Sequence, residues 1–227
     1  MPAAAKPANE AERLAALHAY DILDQEADPA YRDVVTIAGQ LMQTPIVLIS
    51  LVDAERQWFL ARDGMVLPET PRDMAFCAYT ILDRGPLVVQ DAQRDPRFRD
   101  NALVTGDPGI RFYAGAPLET PGGQRIGSLC AMDRVAREAT PEQLTAMMAL
   151  SRQVVRLLEF RLAARQLKDA LEHTRTLGGL LPVCAGCKRI RNDAQYWQTL
   201  ERYLATEVGT QVTHSICPDC SARFYPE

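Results

Sequence analysis

The stretch IVLISLVDAERQWFLARDG, residues 46–64, indicates how the chain folds. It begins with IVLISLV, a continuous apolar run rich in β-branched side chains, which is typical of a central strand covered on both faces. A polar break at residues 53–56 follows, and QWFLARDG then has the composition of an antiparallel hairpin partner. The sequence therefore predicts a sheet with residues 46–52 near its middle.

A second hairpin is predicted from the segments FYAGAPLE and RIGSLCAMD. The link between them, Thr120-Pro121-Gly122-Gly123, supplies the fixed φ and the positive-φ residues that a tight turn requires. LVVQD is a further predicted strand. After it, residues 91–109 form a long polar stretch without periodicity. Loops of that length usually cover or line a site.

Two helices are predicted before the first hairpin. Asn9 is a candidate N-cap with Glu12 three residues on, so a first helix should run to about Leu23. Asp28 and Pro29 repeat the start signal and begin a second helix with an apolar stripe. These helices lead directly into the sheet.

Two more helices are predicted later in the chain. A short one covers residues 73–82, and a long one opens at residues 140–142 and meets no proline or glycine before Gly178. The first half of the long helix is expected to pack on the sheet as core. Its second half is expected to form a parallel dimeric coiled coil. The predicted homodimer seam consists of Leu158, Leu162, Leu167 and Leu171.

Composition and charge limit the classes of function. The chain has 227 residues, 47% hydrophobic and 24% charged, which excludes a fibrous or disordered protein. Its net charge of −4 gives no general attraction to nucleic acid or anionic lipid. The longest apolar run is far shorter than the ~20 residues of a membrane helix, and the amino end lacks a secretion signal's apolar core. A cytoplasmic location is therefore expected.

Catalytic signatures are absent from the sequence. It contains no P-loop, dinucleotide fingerprint, zinc-protease motif, kinase signature or cyclase signature. The expectation is a protein that is not an enzyme.

Several segments together resemble bacterial GAF sensor domains, of the kind found upstream of histidine kinases and cyclic-dinucleotide enzymes. They are RLAALHAYDILD, TPIVLISLVDAERQWFLARDGM, the run from ETPRDMAFCAYTILDRG to RIGSLCAMDR, and the long closing helix. The resemblance covers about residues 9–165. It implies an α+β fold, an antiparallel sheet flanked by helices, with a ligand pocket between the sheet and the covering loop. Many relatives have FCAHT where this chain has FCAYT, so a pocket imidazole is missing if residue 79 lines the cavity.

The same resemblance implies a set of pocket-lining residues under the loop at residues 93–109. They are Trp58, Phe76, Tyr79, Asp91, Arg111, Tyr113 and Cys130. Arg111 is the best anchor for an anion, although aromatic residues on strands are more often core. The ligand itself is left open.

Two isolated cysteines, Cys77 and Cys130, offer a competing enzymatic interpretation. Free methionine sulfoxide reductases use cysteines in this fold, so the resemblance allows a thiol-redox enzyme or redox switch. Against this, free cysteine usually behaves as a small buried hydrophobe.

The carboxyl end carries two C-x-x-C pairs, which predict a zinc site. Cys184 with Cys187, and Cys217 with Cys220, supply the four soft ligands of a tetrahedral structural Zn²⁺. His214 is an alternative ligand or a hydrogen-bond partner of a thiolate. A redox-active dithiol, or haem in place of zinc, is left open.

The segment from about residue 177 onward also resembles a small cysteine-rich module at the carboxyl ends of bacterial response regulators and sensory proteins, whose task is poorly defined. A helix, YWQTLERYL, is predicted between the two pairs. A zinc-dependent nucleic-acid binder is the second alternative, although the basic residues of this segment are matched by equal numbers of acidic ones.

The sequence thus predicts a bacterial, cytoplasmic signal-transduction sensor or adaptor. Residues 1–8 are a disordered lead, 9–165 the GAF domain with the first part of the exit helix, 166–178 a signalling helix, and 179–227 the zinc module. The GAF pocket would bind a small ligand. The dimeric helix would relay that event to the zinc module, which contacts a protein partner.

Overall fold

The computed structural model describes residues 3–26, 28–178, 182–192 and 195–224, and side chains are not described at 172–178, 208 and 222. Residues 1 and 2 of the expected lead and 179–181 of the expected module lie outside the described residues. Contacts divide the chain into two units that meet at Ala164 and Arg165. Each unit is described by itself.

The first unit is an α+β domain built on one six-stranded antiparallel sheet of order β3-β2-β1-β6-β5-β4. Its strands are β1 (Ile46–Val52), β2 (Arg56–Asp63), β3 (Glu69–Pro71), β4 (Leu87–Val89), β5 (Phe112–Glu119) and β6 (Arg125–Asp133). Its helices are α1 (Glu10–Ala19), α2 (Pro29–Met42), α3 (Cys77–Thr80), α4 (Ala102–Thr105) and the first part of α5 (Pro141–Gly178).

Strand β1 lies in the middle of this sheet, as its composition predicts. All seven of its residues are buried, and it pairs with β2 on one side and β6 on the other. The hairpins β1–β2 and β5–β6 are both confirmed. Alternate β1 side chains face opposite cores, since successive strand residues point to opposite faces.

One face of the sheet is covered by helices. The helix-side core contains Leu17 of α1, Val35 of α2, and Val154 and Leu158 of α5, packed against β1 residues such as Ile49. Each fully buried aliphatic side chain of this kind contributes roughly 1.5 to 3 kcal/mol. These three helices are therefore integral to the domain.

The other face is covered by α3 and by the long stretch at residues 91–109. The loop-side core contains Phe76, Phe98 and Tyr113 against Leu48 of β1 and Cys130 of β6. Loop residues thus cover the apolar surface of this face, as helices cover that of the other face.

The predicted dimer seam on the long helix α5 is wrong in part, because some of its leucines pack within their own chain. Leu158 is fully buried in the helix-side core of its own chain, so it is not available to a second copy. Leu162 packs against the edge of the same core, whereas Leu167 and Leu171 are 61% and 55% exposed. The heptad spacing of the stripe gives no sign of where the domain's own core ends.

Two predicted helices have different bounds in the structure. Helix α1 ends at Ala19 rather than near Leu23, because Asp21 takes a positive φ of 46° that helical backbone does not allow. The helix expected at residues 73–82 is divided into a 3₁₀ turn, Arg72–Met74, and α3. Extended backbone at Ala75 separates the two.

The ends of the first two helices test the capping predictions. Asn9 occupies the N-cap of α1, but its side chain donates to Gln124 Oε1 at 2.6 Å instead of capping the helix. At α2 the expected cap is confirmed, since Asp28 Oδ1 accepts from the backbone N–H of Ala30 at 2.9 Å.

Glycine is required where β6 passes β1. Gly127 lies opposite Leu51, and a Cβ atom at this position would stand 2.0 Å from the Ser50 carbonyl oxygen. Any side chain there would force the two central strands apart.

The second unit is small and mostly exposed. Besides the end of α5 it contains β7 (Ile190–Arg191), β8 (Trp197–Gln198), α6 (Leu200–Tyr203), a π-helical turn at Leu204–Val208, and α7 (Pro218–Phe224). The helix expected at YWQTLERYL is shorter than predicted, because Trp197 pairs with Arg191 in a β-ladder. Ile190 and Tyr203 are the buried hydrophobic residues of its described part. Within the described ranges, no helix has the length and apolar character needed to cross a bilayer.

A buried ionic cluster joins α1 to the 3₁₀ turn at Arg72–Met74. Arg13, only 1% exposed, donates to the Val52 carbonyl at 2.7 Å and to both carboxylate oxygens of Glu10. Arg72 donates to Glu10 and to the backbone carbonyl of Asp53. Burial alone would raise the pKa of Glu10, but the hydrogen bonds from the two guanidinium groups lower it to about 2.

Replacing the carboxylate of this cluster should destabilise the domain in a pH-dependent way. A pKa of about 2 in the folded state, against an ordinary 4.5, stabilises the fold above pH 5 and loses that stabilisation as the pH falls toward 2. We expect Glu10→Gln to lower the free energy of unfolding at pH 7 by about 3 kcal/mol. In urea titrations, the difference in free energy of unfolding between wild type and Glu10→Gln should shrink as the pH is lowered from 7 to 2.5. The control is Glu12→Gln, on an exposed position of the same helix. An equal loss in both variants would contradict this account.

Candidate functional site

Aromatic rings fill the centre of the space under the covering loop. Phe76 and Phe98 stack with ring centroids 4.2 Å apart and planes within 9°, and Tyr113 stacks on Phe76 at 5.1 Å. Tyr79 meets Phe98 edge-on at 5.0 Å. Phe98 comes from the loop itself, so the loop is held down by an aromatic side chain that the sheet and α3 surround.

The expected lining residues do not share one site. Phe76, Tyr113 and Cys130 are buried together in the loop-side core, as members of its packing. Trp58 lies in the helix-side core, on the opposite face of the sheet. It stands opposite Leu51, whose side chain faces the helices, because a bulge between Ile49 and Ser50 shifts the register of β2.

Arg111 and Asp91 fix the two ends of the covering loop. Arg111 Nη1 donates to the carbonyl oxygens of Val104, Gly109 and Ile110 at 2.9 to 3.1 Å. Asp91 Oδ1 accepts from the backbone N–H of Gln93 at 3.0 Å. In this structure the Arg111 guanidinium is engaged with the loop backbone, which gives this residue a structural task.

A surface groove of about 420 Å³ opens at the rim of the loop-side core. It is lined by Tyr79, Thr80, Leu82, Asp83, Arg84, Gly85, Pro86, Leu87 and Arg97. Tyr79 is therefore the one expected lining residue that borders it. Arg97 and Arg84 were missed from the sequence, because the loop that contains Arg97 has no periodic pattern.

Arg97 is the best-positioned cation of this groove. Its guanidinium lies 5.9 Å from the centroid of the Tyr79 ring and 5.1 Å from that of Phe98, and it pairs with Asp95 at 2.7 Å. The hydrogen bonds that Arg97 donates to Asp95 raise the pKa of Arg97, and burial raises the pKa of Tyr79. The groove thus presents an ion-paired guanidinium group beside an aromatic face.

A buried cluster of thiols and hydroxyls lies inside the loop-side core, next to the groove. Cys77 Sγ and Cys130 Sγ are 3.7 Å apart, and the Tyr113 hydroxyl donates to Cys77 Sγ at 3.4 Å. The same hydroxyl meets Thr80 Oγ1 at 2.6 Å and Ser128 Oγ at 3.5 Å. Gly115 leaves room for the phenol, since a Cβ there would stand 2.2 Å from its oxygen.

In the second unit, Cys184 and Cys187 lie on a local turn, and Cys217 and Cys220 lie at the start of α7. Cys184 N–H donates to Arg189 O at 2.8 Å, Lys188 N–H returns to Cys184 O at 3.0 Å, and Lys188 adopts a φ of 60°. Backbone and thiol hydrogen bonds from Cys187 lower the pKa of Cys184. Cys220 lowers the pKa of Cys217 in the same way.

A complete four-ligand metal centre is not shown by the described residues. Among them, no three His, Cys, Asp or Glu side chains come together in a group able to hold a metal ion. His214 is 3.9 Å from Glu201, in an exposed pair. The structure brings the two cysteines of each pair together, but within the part of the chain that it describes it does not bring the two pairs together. The zinc site therefore stays a prediction.

Comparison with known proteins agrees with the fold. The GAF domain of Thermosynechococcus elongatus PixJ, in its blue-light absorbing form, superposes with a TM-score of 0.51 at 14% identity, over 71% of this chain and 96% of that one. The GAF domain of an Acinetobacter phosphoenolpyruvate-protein phosphotransferase gives a TM-score of 0.50 at 12% identity, over 69% and 96%. At these identities the likeness shows the fold alone.

Sequence comparison gives a nearer relative and the family. A cyclic di-GMP phosphodiesterase of Pseudomonas aeruginosa is 46% identical over 142 residues, which are 63% of this chain and 24% of that protein. The chain therefore spans about a quarter of that relative's length. The profile of the GAF domain family matches residues 26–158, more than half of the chain. On that match, and with the sheet order described above, the chain belongs to the GAF domain family.

Proposed function

We propose that this chain is a non-catalytic sensor or adaptor of a signal-transduction system, acting in the cytoplasm. The observation that carries the proposal is the groove beside Tyr79 and Arg97, in a domain of the GAF family. A small ligand bound there would stabilise one arrangement of α3 and the covering loop. The long helix α5 continues from this domain into the cysteine-rich unit and would relay the change to a protein partner.

The chemistry of the groove favours a small anion with a planar body. Arg97 and Arg84 supply two guanidinium groups against the one carboxylate of Asp83. Tyr79 supplies an aromatic face and Thr80 a hydroxyl, while Leu87 belongs to the apolar wall. A volume of about 420 Å³ is in the range of small-molecule sites. A nucleotide has both the charge and the ring that such a groove would bind.

Ligand binding should depend on Arg97, which lines the groove, and not on Arg94, which lies in the same loop outside it. We expect cyclic GMP, cyclic AMP or 5′-GMP to bind the full chain, and Arg97→Gln to weaken that binding at least tenfold through loss of the charge. The matched control is Arg94→Gln, in the same loop, with a side chain that is 89% exposed and outside the groove. Isothermal titration calorimetry measures both. Equal weakening by the two variants would contradict a site in the groove.

The cysteine-rich unit is proposed to hold one structural Zn²⁺ through Cys184, Cys187, Cys217 and Cys220. Support comes from the hydrogen bonds between the two cysteines of each pair and from the lowered pKa of one thiol in each pair. Deprotonated thiolates are the form that zinc binds. The described part of this unit also buries little apolar surface, so a metal would supply stability that its core lacks.

The zinc content of the purified protein is the direct test of the proposed metal site. Protein purified under reducing conditions without chelator should contain one Zn²⁺ per chain by elemental analysis. Cys217→Ser should remove it and unfold the residues after Gly178, while the GAF domain keeps its cooperative thermal transition. His214→Ala should retain zinc with reduced affinity if the imidazole only supports a thiolate, whereas loss of stoichiometric metal would make it a ligand. Metal-free wild-type protein with these cysteines in disulfides would refute the zinc site.

Homodimerisation is proposed through the exposed leucines of α5, Leu167 and Leu171. Both are more than half exposed within one chain, and burial of each against a partner would contribute roughly 1.5 to 3 kcal/mol. A parallel coiled coil would cover them and place two GAF domains on one helical pair.

The leucine seam should determine the oligomeric state. We expect a dimer by light scattering at tens of micromolar protein with metal present, and a monomer for the double variant Leu167→Glu, Leu171→Glu. Val66→Glu is the control, because Val66 is 91% exposed on the GAF domain and lies outside the seam. A monomeric wild-type protein would rule the seam out.

A further inference from the structure

Two buried thiols are in contact within the GAF domain. Cys77 is on α3 and Cys130 on β6, both about 99% buried or more, and their sulfurs are 3.7 Å apart. The two residues are separated by 53 positions in sequence, so only the fold brings them together. Helix α3 and strand β6 face each other directly at this contact.

The polar groups around the pair favour reaction at one of the two sulfurs. Burial disfavours the ionised form of both thiols, but hydrogen bonds of Cys77 with Cys130, Ser128, Ser50 and Tyr113 hold the pKa of Cys77 below its usual value. The same contact and burial raise the pKa of Cys130 well above its usual value. Because the Tyr113 hydroxyl donates to Cys77 Sγ at 3.4 Å, Cys77 is the better placed of the two sulfurs to act as the nucleophile.

A chain of hydroxyl groups runs from the groove to this pair of thiols. Thr80 lines the groove and its hydroxyl meets that of Tyr113 at 2.6 Å, while Tyr113 donates to Cys77 Sγ. Ser50, opposite Ser128 on the adjoining strand, adds a fully buried hydroxyl beside Cys77. A small polar molecule that passes Thr80 would thus meet hydroxyl groups next to the Cys77 sulfur.

We propose that Cys77 and Cys130 form a peroxide-oxidised disulfide that reports on redox state from inside the GAF domain. In the first step the Cys77 thiolate attacks one oxygen of hydrogen peroxide, the O–O bond breaks, and the departing hydroxide takes a proton to become water. In the second step Cys130 gives up its proton and attacks the Cys77 sulfenic acid, the S–S bond forms, and a second water leaves. Overall, two thiols and one peroxide give one disulfide and two waters.

Formation of the disulfide would shift α3 and with it two side chains that line the groove. A disulfide requires its sulfurs at about 2.05 Å, so Cys77 and Cys130 must approach by more than 1 Å from their present 3.7 Å. Helix α3 also contains Tyr79 and Thr80, which line the groove. The redox proposal does not depend on the groove's ligand or on zinc, although it gives the proposed sensor a second input.

Peptide mapping of the full chain tests the pair directly. Reduced protein is treated with hydrogen peroxide, its remaining thiols are alkylated under denaturing conditions, and trypsin is added. Cleavage after Arg72, Arg84, Arg125 and Arg134 leaves Cys77 in DMAFCAYTILDR and Cys130 in IGSLCAMDR. We expect these two peptides to be linked, 2 Da lighter than their sum, and separated by dithiothreitol. The four carboxyl-terminal cysteines fall in other peptides and do not interfere.

Two variants test whether the disulfide forms through a sulfenic acid on Cys77 and whether the Tyr113 hydroxyl assists that reaction. With Cys130→Ser, dimedone should label Cys77 as a sulfenic acid and no link should form. Tyr113→Phe keeps both thiols but removes the donor to Cys77, and linkage should slow several-fold. A native thermal transition is required of each variant. The proposal is overturned if the two thiols stay reduced in wild type while peroxide oxidises the exposed cysteines, or if Tyr113→Phe links at the wild-type rate.

Discussion

The pairing of β1 with β6 is the constraint on which the rest of the domain depends. Both strands are buried along nearly their whole length, and Gly127 lets their backbones approach where any side chain would collide with the Ser50 carbonyl. Because strand side chains alternate between faces, this central pair exposes two apolar surfaces that need separate covers. Helices α1, α2 and α5 cover one, and α3 with the loop at residues 91–109 covers the other. The asymmetry between a helical and a loop cover explains why chemistry is concentrated on the loop side.

A loop that serves as a core cover has to be fixed by particular side chains, since it has no ladder of its own. Phe98 inserts between Phe76 and Tyr79, Arg111 binds three carbonyl oxygens at one end, and Asp91 turns the chain at the other. These contacts occupy the volume that the family resemblance assigned to a ligand. The remaining open volume lies at the rim, where the loop's other side chains border a groove.

The sequence was sufficient for five of the six strands of the sheet and for both hairpins, because apolar runs and turn residues are local signals; the short edge strand β3 was not predicted. It was insufficient wherever a contact joins distant positions. Nothing local to Trp58 shows that a bulge in the ladder turns it toward the helices, and Arg13 in the first helix looks like any surface arginine although it is buried. The contact of Cys77 with Cys130 likewise exists only once α3 packs on β6. Spacing within each carboxyl-terminal cysteine pair predicts a turn, but the meeting of the two pairs depends on the chain between them.

The ionic cluster of α1 bears on how this domain can be dissected. The family profile begins at residue 26, yet Glu10 and Arg13 belong to the same packed unit, and Leu17 is fully buried in its core. A fragment cut at the profile's edge would leave the Val52 carbonyl without its donor and the Arg72 guanidinium without its carboxylate, beside an uncovered apolar surface. The folding unit is thus larger than the homologous core. Any excised version of the domain needs to start before Glu10 to keep the first helix on the sheet.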